Sequence, residues 1–209
     1  MPVQIKLNDV QKQAVETVDK PVLIFAGAGT GKTRVLTAKI AHLIKNEKYA
    51  PENILAATFT NKAAGEMKSR VKKIVGPRAS KVNIGTFHSI CARILRYEID
   101  QLGFNPNFAI FDTADQLSLI KSIINSNKIP VDGMTPNAIR GRISLAKNSM
   151  AESNLDNKSS SPVDRAAALV YPLYTKALKE NNALDFDDLL LFPLKVFKKN
   201  LKKMVNLLR

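Results

Sequence analysis

The stretch LIFAGAGTGKTRV (23–35) constrains this chain more than any other. An apolar run of strand length, PVLIF (21–25), stops in a glycine-rich bend and meets Gly31-Lys32-Thr33. Continuous hydrophobicity of that length is the pattern of a strand buried on both faces of a parallel sheet. Beyond the bend, Val35, Leu36, Ile40, Leu43 and Ile44 fall on one stripe, so a helix follows. A strand feeding such a loop into a helix N-terminus aims several backbone N–H groups, and the positive end of the helix dipole, at one point. That geometry holds phosphate. Gly27, Gly29 and Gly31 let the backbone approach an anion and permit positive φ. Lys32 supplies a mobile charge for β- and γ-phosphates, and the Thr33 hydroxyl can complete the coordination of Mg²⁺. The strict pattern begins with glycine where this chain has Ala26, which leaves the Gly27–Gly31 loop intact. A plain strand–helix turn would not require Gly-Lys-Thr after it, so a nucleoside triphosphate is the expected ligand.

The neighbouring segments extend the alternation. Asn8 and Gln11 mark a helix start, with Val10, Ala14, Val15 and Val18 at helical spacing. Past Pro51 and Asn53, ILAAT (54–58) reads as a second strand, NKAAGEMKSRVKKIV (61–75) as a helix with a basic outer face ended by Gly76-Pro77, VNIGTF (82–87) as a third strand and SICARILRYEI (89–99) as a helix. Strands alternating with helices predict βαβ units with right-handed crossovers. Beyond about residue 100 the pattern turns helical, FAIF (108–111) apart. Thr113 with Gln116 forms a capping-box signature, and Thr135-Pro136 opens another helix with proline at its favoured first position. SNLDNKSSSP (153–162) reads as an exposed loop, 163–181 as a helix that Pro172 should kink or split, and Asp185 as the cap of a last helix whose length Pro193 leaves open.

Bulk properties narrow the function classes. The 209 residues carry 32 Lys and Arg against 18 Asp and Glu, a net charge of +14 that favours a polyanionic partner. A basic solvated surface is the plain alternative. Cys91 is the single cysteine and can form no internal disulfide, and His42 and His88 stand too far apart to suggest structural zinc. No apolar stretch approaches the roughly 20 residues of a membrane span. MPVQIKLND has no secretory pattern, so no membrane association and a cytoplasmic location are expected.

LNDVQKQAV (7–15), AGAGTGKTRV (26–35), TFTNKAAGEM (58–67), GTFHS (85–89) and LDFDDLLL (184–191) resemble, in order and approximate spacing, the motifs of the UvrD/Rep/PcrA group of superfamily 1A DNA helicases. The resemblance implies an α/β fold with a P-loop (RecA-like) parallel sheet, incomplete here, carrying an inserted all-helical subdomain. It assigns residues 1–90 to the ATP-binding core and 91–209 to a helical 1B-like subdomain whose last segment leads back toward the core. It implies ATP held by Gln11, Ala26, Gly27, Ala28, Gly29, Thr30, Gly31, Lys32, Thr33 and Arg34. Lys32 and Thr33 would serve catalysis, and Thr33 would also serve as the Mg²⁺ ligand. Gln11 would hydrogen-bond the adenine edge; it can equally pair with Asn8 as a capping box, and Arg34 can equally be a solvated helix residue. The partners implied are single-stranded DNA and single-strand/duplex junctions. Phe59 would stack on a base, with Thr60, Asn61, Thr86 and His88 on phosphate. A core phenylalanine, a helix cap and a hydrogen-bonded corner histidine are the plain alternatives. Lys62 reads as an ordinary helix charge, and the basic residues of 68–81 as a surface that can assist.

ATP hydrolysis in this family needs an Asp-Glu pair ending a buried strand. Asp187-Asp188 is a poor match, because the residues before it are too few and too polar for such a strand. The chain is expected to stop before those acids and before the second motor domain. Two functions follow. The intact protein would be an ATP-driven 3′–5′ translocase on single-stranded DNA, and these 209 residues would bind nucleotide and DNA without turnover of their own. A helicase–nuclease subunit of the same superfamily and a non-catalytic binding module stay open as alternatives.

Overall fold

A computed structural model describes residues 6–27, 29–47, 49–131, 133–150 and 155–199. They form two compact units, one up to Ile90 and one from Cys91. No described helix is long and apolar enough to cross a membrane.

The first unit holds α1 (Asp9–Glu16), α2 (Lys32–Lys45), β1 (Leu55–Thr58), α3 (Asn61–Val75), β2 (Asn83–Thr86) and the first turn of α4 (Phe87–Glu98). β1 and β2 pair in parallel, Leu55 opposite Asn83 and Thr58 opposite Thr86, with α3 as the crossover between them. The Thr60 hydroxyl starts α3 by accepting the Ala63 N–H, and Gly76, at φ 73°, ends it. Ala64, Met67 and Val71 recur at helical spacing and meet Ile40 and Ile44 of α2 and Ile84 of β2 in one core. Each large side chain so buried stabilises by about 1.5–3 kcal/mol. Val15 of α1 packs on Val35 and Ala38 of α2.

PVLIF does not form the expected strand. Residues 21–25 carry no regular structure, and Leu23 and Phe25 are 79% and 90% exposed. A strand buried on both faces needs a ladder at its edges, and β1 and β2 pair only with each other among the described residues. Apolar composition alone cannot supply the partner.

The second unit contains the rest of α4, β3 (Ala109–Ile110), α5 (Thr113–Ser126), α6 (Pro136–Asn148), α7 (Pro162–Glu180), β4 (Ala183–Leu184) and α8 (Phe186–Lys199). It is not all-helical: β3 and β4 form a short parallel pair, Ala109 opposite Ala183. Asn182, at φ 46°, makes the pairing possible. Its carbonyl accepts the Ala109 N–H at 2.9 Å and its side chain accepts the Asn105 N–H at 2.8 Å. Such a contact spans some seventy residues and leaves no local periodicity. The capping box of α5 also lies one residue earlier than Thr113. Asp112 accepts the Ala114 and Asp115 N–H groups on one oxygen, and Asp115 reaches back to accept the Asp112 N–H; an ionised carboxylate takes such bonds more strongly than the Thr113 hydroxyl would. α7 runs unsplit through Pro172, which sits on its exposed face, where solvent can reach the carbonyl left without a partner. Residues 155–161 are a loop, as expected, while Pro162 opens α7; residues 153 and 154 lie outside the described residues.

Ile120, Ile139, Ile143, Val170 and Tyr174 fill the core between α5, α6 and α7. Inside this unit lies a buried ionic cluster. The Lys147 ammonium of α6 donates to Asp185 and to Asp188, each at 2.8 Å, and the Tyr174 hydroxyl donates to Asp185 at 3.0 Å. The two aspartates also cap α8 reciprocally: the Asp188 N–H donates to Asp185 at 2.9 Å and the Asp185 N–H to Asp188 at 3.3 Å. Burial pulls the Lys147 ammonium down, but the charges of Asp188 and Asp185 more than offset it and raise its pKa. Burial also pushes both carboxyls up. At Asp185 the Lys147 ammonium, the Asp188 N–H and the Tyr174 hydroxyl overcome it, and the pKa ends below its ordinary value. At Asp188 burial prevails over Lys147, aided by repulsion from Asp185, and the carboxyl is pushed up to about 6.

Lys147→Ala strands two buried carboxylates and is expected to cost about 3–5 kcal/mol. At neutral pH Asp185→Asn should cost more than Asp188→Asn, because the fold favours the ionised form of the first and the neutral form of the second. The sign follows from proton binding. The stability contributed by ionised Asp185 is present above its unfolded pKa of about 3.9 and is lost as pH falls through its lower folded value. Folded Asp188 binds its proton more tightly than the unfolded chain, so its ionisation subtracts from stability above about pH 6, and that deficit fades toward about pH 4. Urea denaturation of wild type and variants across this range measures each effect.

Candidate functional site

The bend after PVLIF is built from main chain. Gly29 and Gly31 adopt φ of 77° and 92°, and α2 begins at Lys32 with no side chain capping it. The N–H groups of a helix's first turn have no acceptor within the helix, so those of Lys32, Thr33 and Arg34 face the bend with the positive end of the helix dipole behind them. The Thr30 hydroxyl braces the loop by donating to the Gly27 carbonyl at 2.8 Å. The Lys32 ammonium folds over it, donating to the carbonyls of Ala26 at 2.9 Å and Gly27 at 2.7 Å. Thr33 is half-buried in the first turn, its carbonyl accepting the Thr37 hydroxyl at 2.7 Å, and Arg34 is exposed. Ala28 lies outside the described residues.

Gln11 closes one side of the bend. Its carboxamide oxygen accepts the Asn8 N–H at 3.2 Å, completing a capping box in which Asn8 accepts the Gln11 N–H at 2.9 Å. The amide nitrogen donates to the Thr30 carbonyl at 3.1 Å. A β-carbon on Gly31 would come within 3.3 Å of that nitrogen, whereas one on Gly29 would meet nothing within 4 Å. The bend is therefore shut by Gln11 at Gly31 and open at Gly29. Amide hydrogens, a helix N-terminus and a mobile ammonium suit a polyanion. The Thr33 hydroxyl is a hard oxygen donor of the kind Mg²⁺ takes alongside phosphate oxygens and water. No group of His, Cys, Asp or Glu among the described residues gathers to hold a metal by itself.

A second set of residues stands at the strand ends. Because Thr58 pairs with Thr86, the residues that follow leave the sheet side by side. Phe59 and Phe87 meet with ring centroids 5.5 Å apart and planes tilted by 50°. Phe59 is 91% exposed, an uncommon position for an aromatic ring that could have been core. Phe87 is also exposed and was not singled out from sequence. The repeat of Thr-Phe at the ends of both strands was the available signal. Thr60 caps α3, Asn61 is the first residue of that helix, and the buried Thr86 caps α4 by accepting the Ser89 N–H at 3.2 Å. His88 lies half-buried in the first turn of α4. Lys62, Lys68, Lys72 and Lys73 of α3, with Arg78 and Lys81 beyond it, are exposed, while Arg70 pairs with Glu66 at 3.4 Å.

The acidic doublet is committed elsewhere. Asp188 belongs to the Lys147 cluster, and Asp187 accepts the Asn148 amide at 2.8 Å.

Residues 7–208 match the profile of the family described as UvrD/REP helicase N-terminal domain. The chain is 51% identical over 192 residues to the ATP-dependent DNA helicase PcrA of Bacillus subtilis, covering 91% of this chain and 26% of that protein. It is 43% identical over 194 residues to the ATP-dependent DNA helicase PcrA of Staphylococcus aureus (strain Mu50), covering 92% of this chain and 27% of that protein. With the protein of the same name from Staphylococcus epidermidis it shares 44% identity over 194 residues, again 92% of this chain and 27% of that protein. The chain thus spans about a quarter of the length of the curated relatives it matches.

Gly29→Ala and Gly31→Ala each force a side chain into the left-handed region, at about 1–2 kcal/mol. Only Gly31→Ala also presses on the Gln11 amide. Chemical denaturation should show a loss in both variants, and the side-chain amide resonance of Gln11 should shift in Gly31→Ala alone.

Proposed function

For a chain that belongs to the UvrD/REP helicase N-terminal domain family, we propose that the first unit is a RecA-like P-loop core binding ATP with Mg²⁺ and gripping single-stranded DNA. The observation that carries the reading is the uncapped start of α2, where glycines at positive φ and the Lys32 ammonium surround an opening lined by main-chain N–H groups. The triphosphate takes the place of the Ala26 and Gly27 carbonyls as partner of Lys32, and the residues of 26–34 cradle it. Thr33 supplies the protein's ligand to Mg²⁺, which neutralises charge on the phosphate oxygens when bound. Gln11, already seated at the bend, offers a donor and an acceptor from one amide, the complement of the adenine edge.

Phe59 gives a base a stacking face, with Phe87 supporting its ring, while Thr60, Asn61, Thr86 and His88 line the helix starts where phosphate is favoured. The basic face of α3 adds sequence-independent, salt-sensitive attraction. Residues 91–209 form the helical 1B-like part. In the intact protein these elements serve an ATP-dependent 3′–5′ DNA helicase of the cytoplasm, acting at junctions of single-stranded and duplex DNA. The 209 residues alone bind without hydrolysing, a reading supported by the commitment of Asp187 to Asn148 and of Asp188 to Lys147.

Fluorescent-nucleotide titration should show Mg²⁺-dependent ATP binding that Lys32→Ala weakens by about ten-fold or more. Phe59→Ala should cost about 1–3 kcal/mol of single-strand affinity in anisotropy titrations, Phe87→Ala less, and wild-type binding should weaken steeply with salt. DNA-stimulated ATPase from the 209 residues that disappears in Lys32→Ala would overturn the binding-only reading, and saturating nucleotide without binding would overturn the whole.

A further inference from the structure

An eight-residue helix is not stable alone in water, so whatever anchors α1 decides where Gln11 stands. Its N-terminal end is held by the Asn8–Gln11 box and its side by Val15 on Val35 and Ala38. Its C-terminal end is held by Lys39. The Lys39 ammonium, projecting from α2, donates to the carbonyl of Ala14 at 3.0 Å and to that of Thr17. These belong to the last turn of α1 and the residue capping it, where carbonyls lack helical partners and the dipole is negative. Burial lowers the pKa of this lysine, in keeping with an ammonium drawn from solvent onto the carbonyls.

The placement on α2 matters. Lys32 opens that helix at the phosphate turn, and Lys39 lies two turns along it, roughly 10 Å by helical rise. One rigid element therefore carries the phosphate-binding end and the anchor of the helix bearing Gln11. The Gln11 carboxamide spends one N–H on Thr30 and one lone pair on the Asn8 N–H. It has one of each left, and these reach a base only while α1 keeps its place.

We propose that Lys39 is a positioning residue for nucleobase selection: by pinning the C-terminal carbonyls of α1 to α2, it holds Gln11 at a set distance from the bound triphosphate. This rests on the reading that Gln11 recognises adenine. A lysine that only stabilised the unit would affect every nucleotide alike. A positioning lysine affects discrimination between bases and spares the affinity for phosphate.

The test uses the 209-residue chain, with ATP, GTP and inorganic tripolyphosphate each competing against a fluorescent ATP analogue. Wild type is expected to favour ATP over GTP. Lys39→Met should reduce that preference by about five-fold or more, toward the value of Gln11→Ala, with tripolyphosphate affinity within about two-fold of wild type. Lys39→Arg, which keeps a charged donor, should restore the preference. Amide exchange over 9–16 should quicken in Lys39→Met and not in Lys39→Arg. If Lys39→Met fails to fold, Lys39→Gln is read in its place against the same expectations. An unchanged ATP preference in the Lys39 variant, where Gln11→Ala abolishes it, overturns the inference and leaves the adenine reading standing. Equal losses for ATP, GTP and tripolyphosphate overturn it in favour of a purely stabilising lysine. Absence of any preference in wild type, or its survival in Gln11→Ala, removes the adenine reading and this inference together.

Discussion

The N–H groups of a helix's first turn have no acceptor within the helix, and in most of the described helices a side chain takes at least one of them. Asn8 serves α1, Thr60 serves α3, Thr86 serves α4, Asp112 serves α5, Thr135 serves α6 and Asp185 serves α8. α7 follows Ser161 without a side-chain cap and opens on Pro162, which has no N–H to satisfy; α2 starts from Gly31, which has no side chain to offer, at φ 92°. Its first-turn donors face a bend instead, and three side chains shape that bend. Lys32 lies over the carbonyls of the bend, Gln11 closes its far side, and the Thr30 hydroxyl holds its curve.

The same capping chemistry reads differently where the caps are ionic and buried. Asp185 and Asp188 start α8, but they also share the Lys147 ammonium from α6 and the Tyr174 hydroxyl from α7. The doublet at 187–188 looks in one dimension like chemistry available to a substrate. In three dimensions Asp188 is spent inside a core and Asp187 is tied to Asn148. Three helices then converge on one charged node, and its opposite demands on the two carboxyls, one favoured ionised and the other neutral, follow from how the one ammonium is shared.

The nucleotide turn and the strand ends differ in how far apart their partners lie in sequence. Residues 26–34 stand together because they are consecutive, and α3 forms where Ala64, Met67 and Val71 mark a helical period. Phe87 stands beside Phe59 through the register that sets Thr58 against Thr86, and Lys39 meets its partners through the docking of α1 on α2. The Thr-Phe repeat at 58–59 and 86–87 marks Phe87 only once the two strands are set side by side, and no local pattern marks Lys39.

Local order was therefore legible in the amino acids alone: helix periods, most caps, the glycine-rich bend and the residues of the family's motifs depend on spacings of a few residues. What needed the folded molecule were the contacts between distant segments. PVLIF has every residue preference of a buried strand and stays unpaired, because a ladder requires a second backbone alongside. Ala183–Leu184 has almost none and pairs with Ala109–Ile110, because Asn182 turns the chain so that the hydrogen bonds line up. Propensity is a property of one segment, and pairing, ion sharing and anchoring are properties of two.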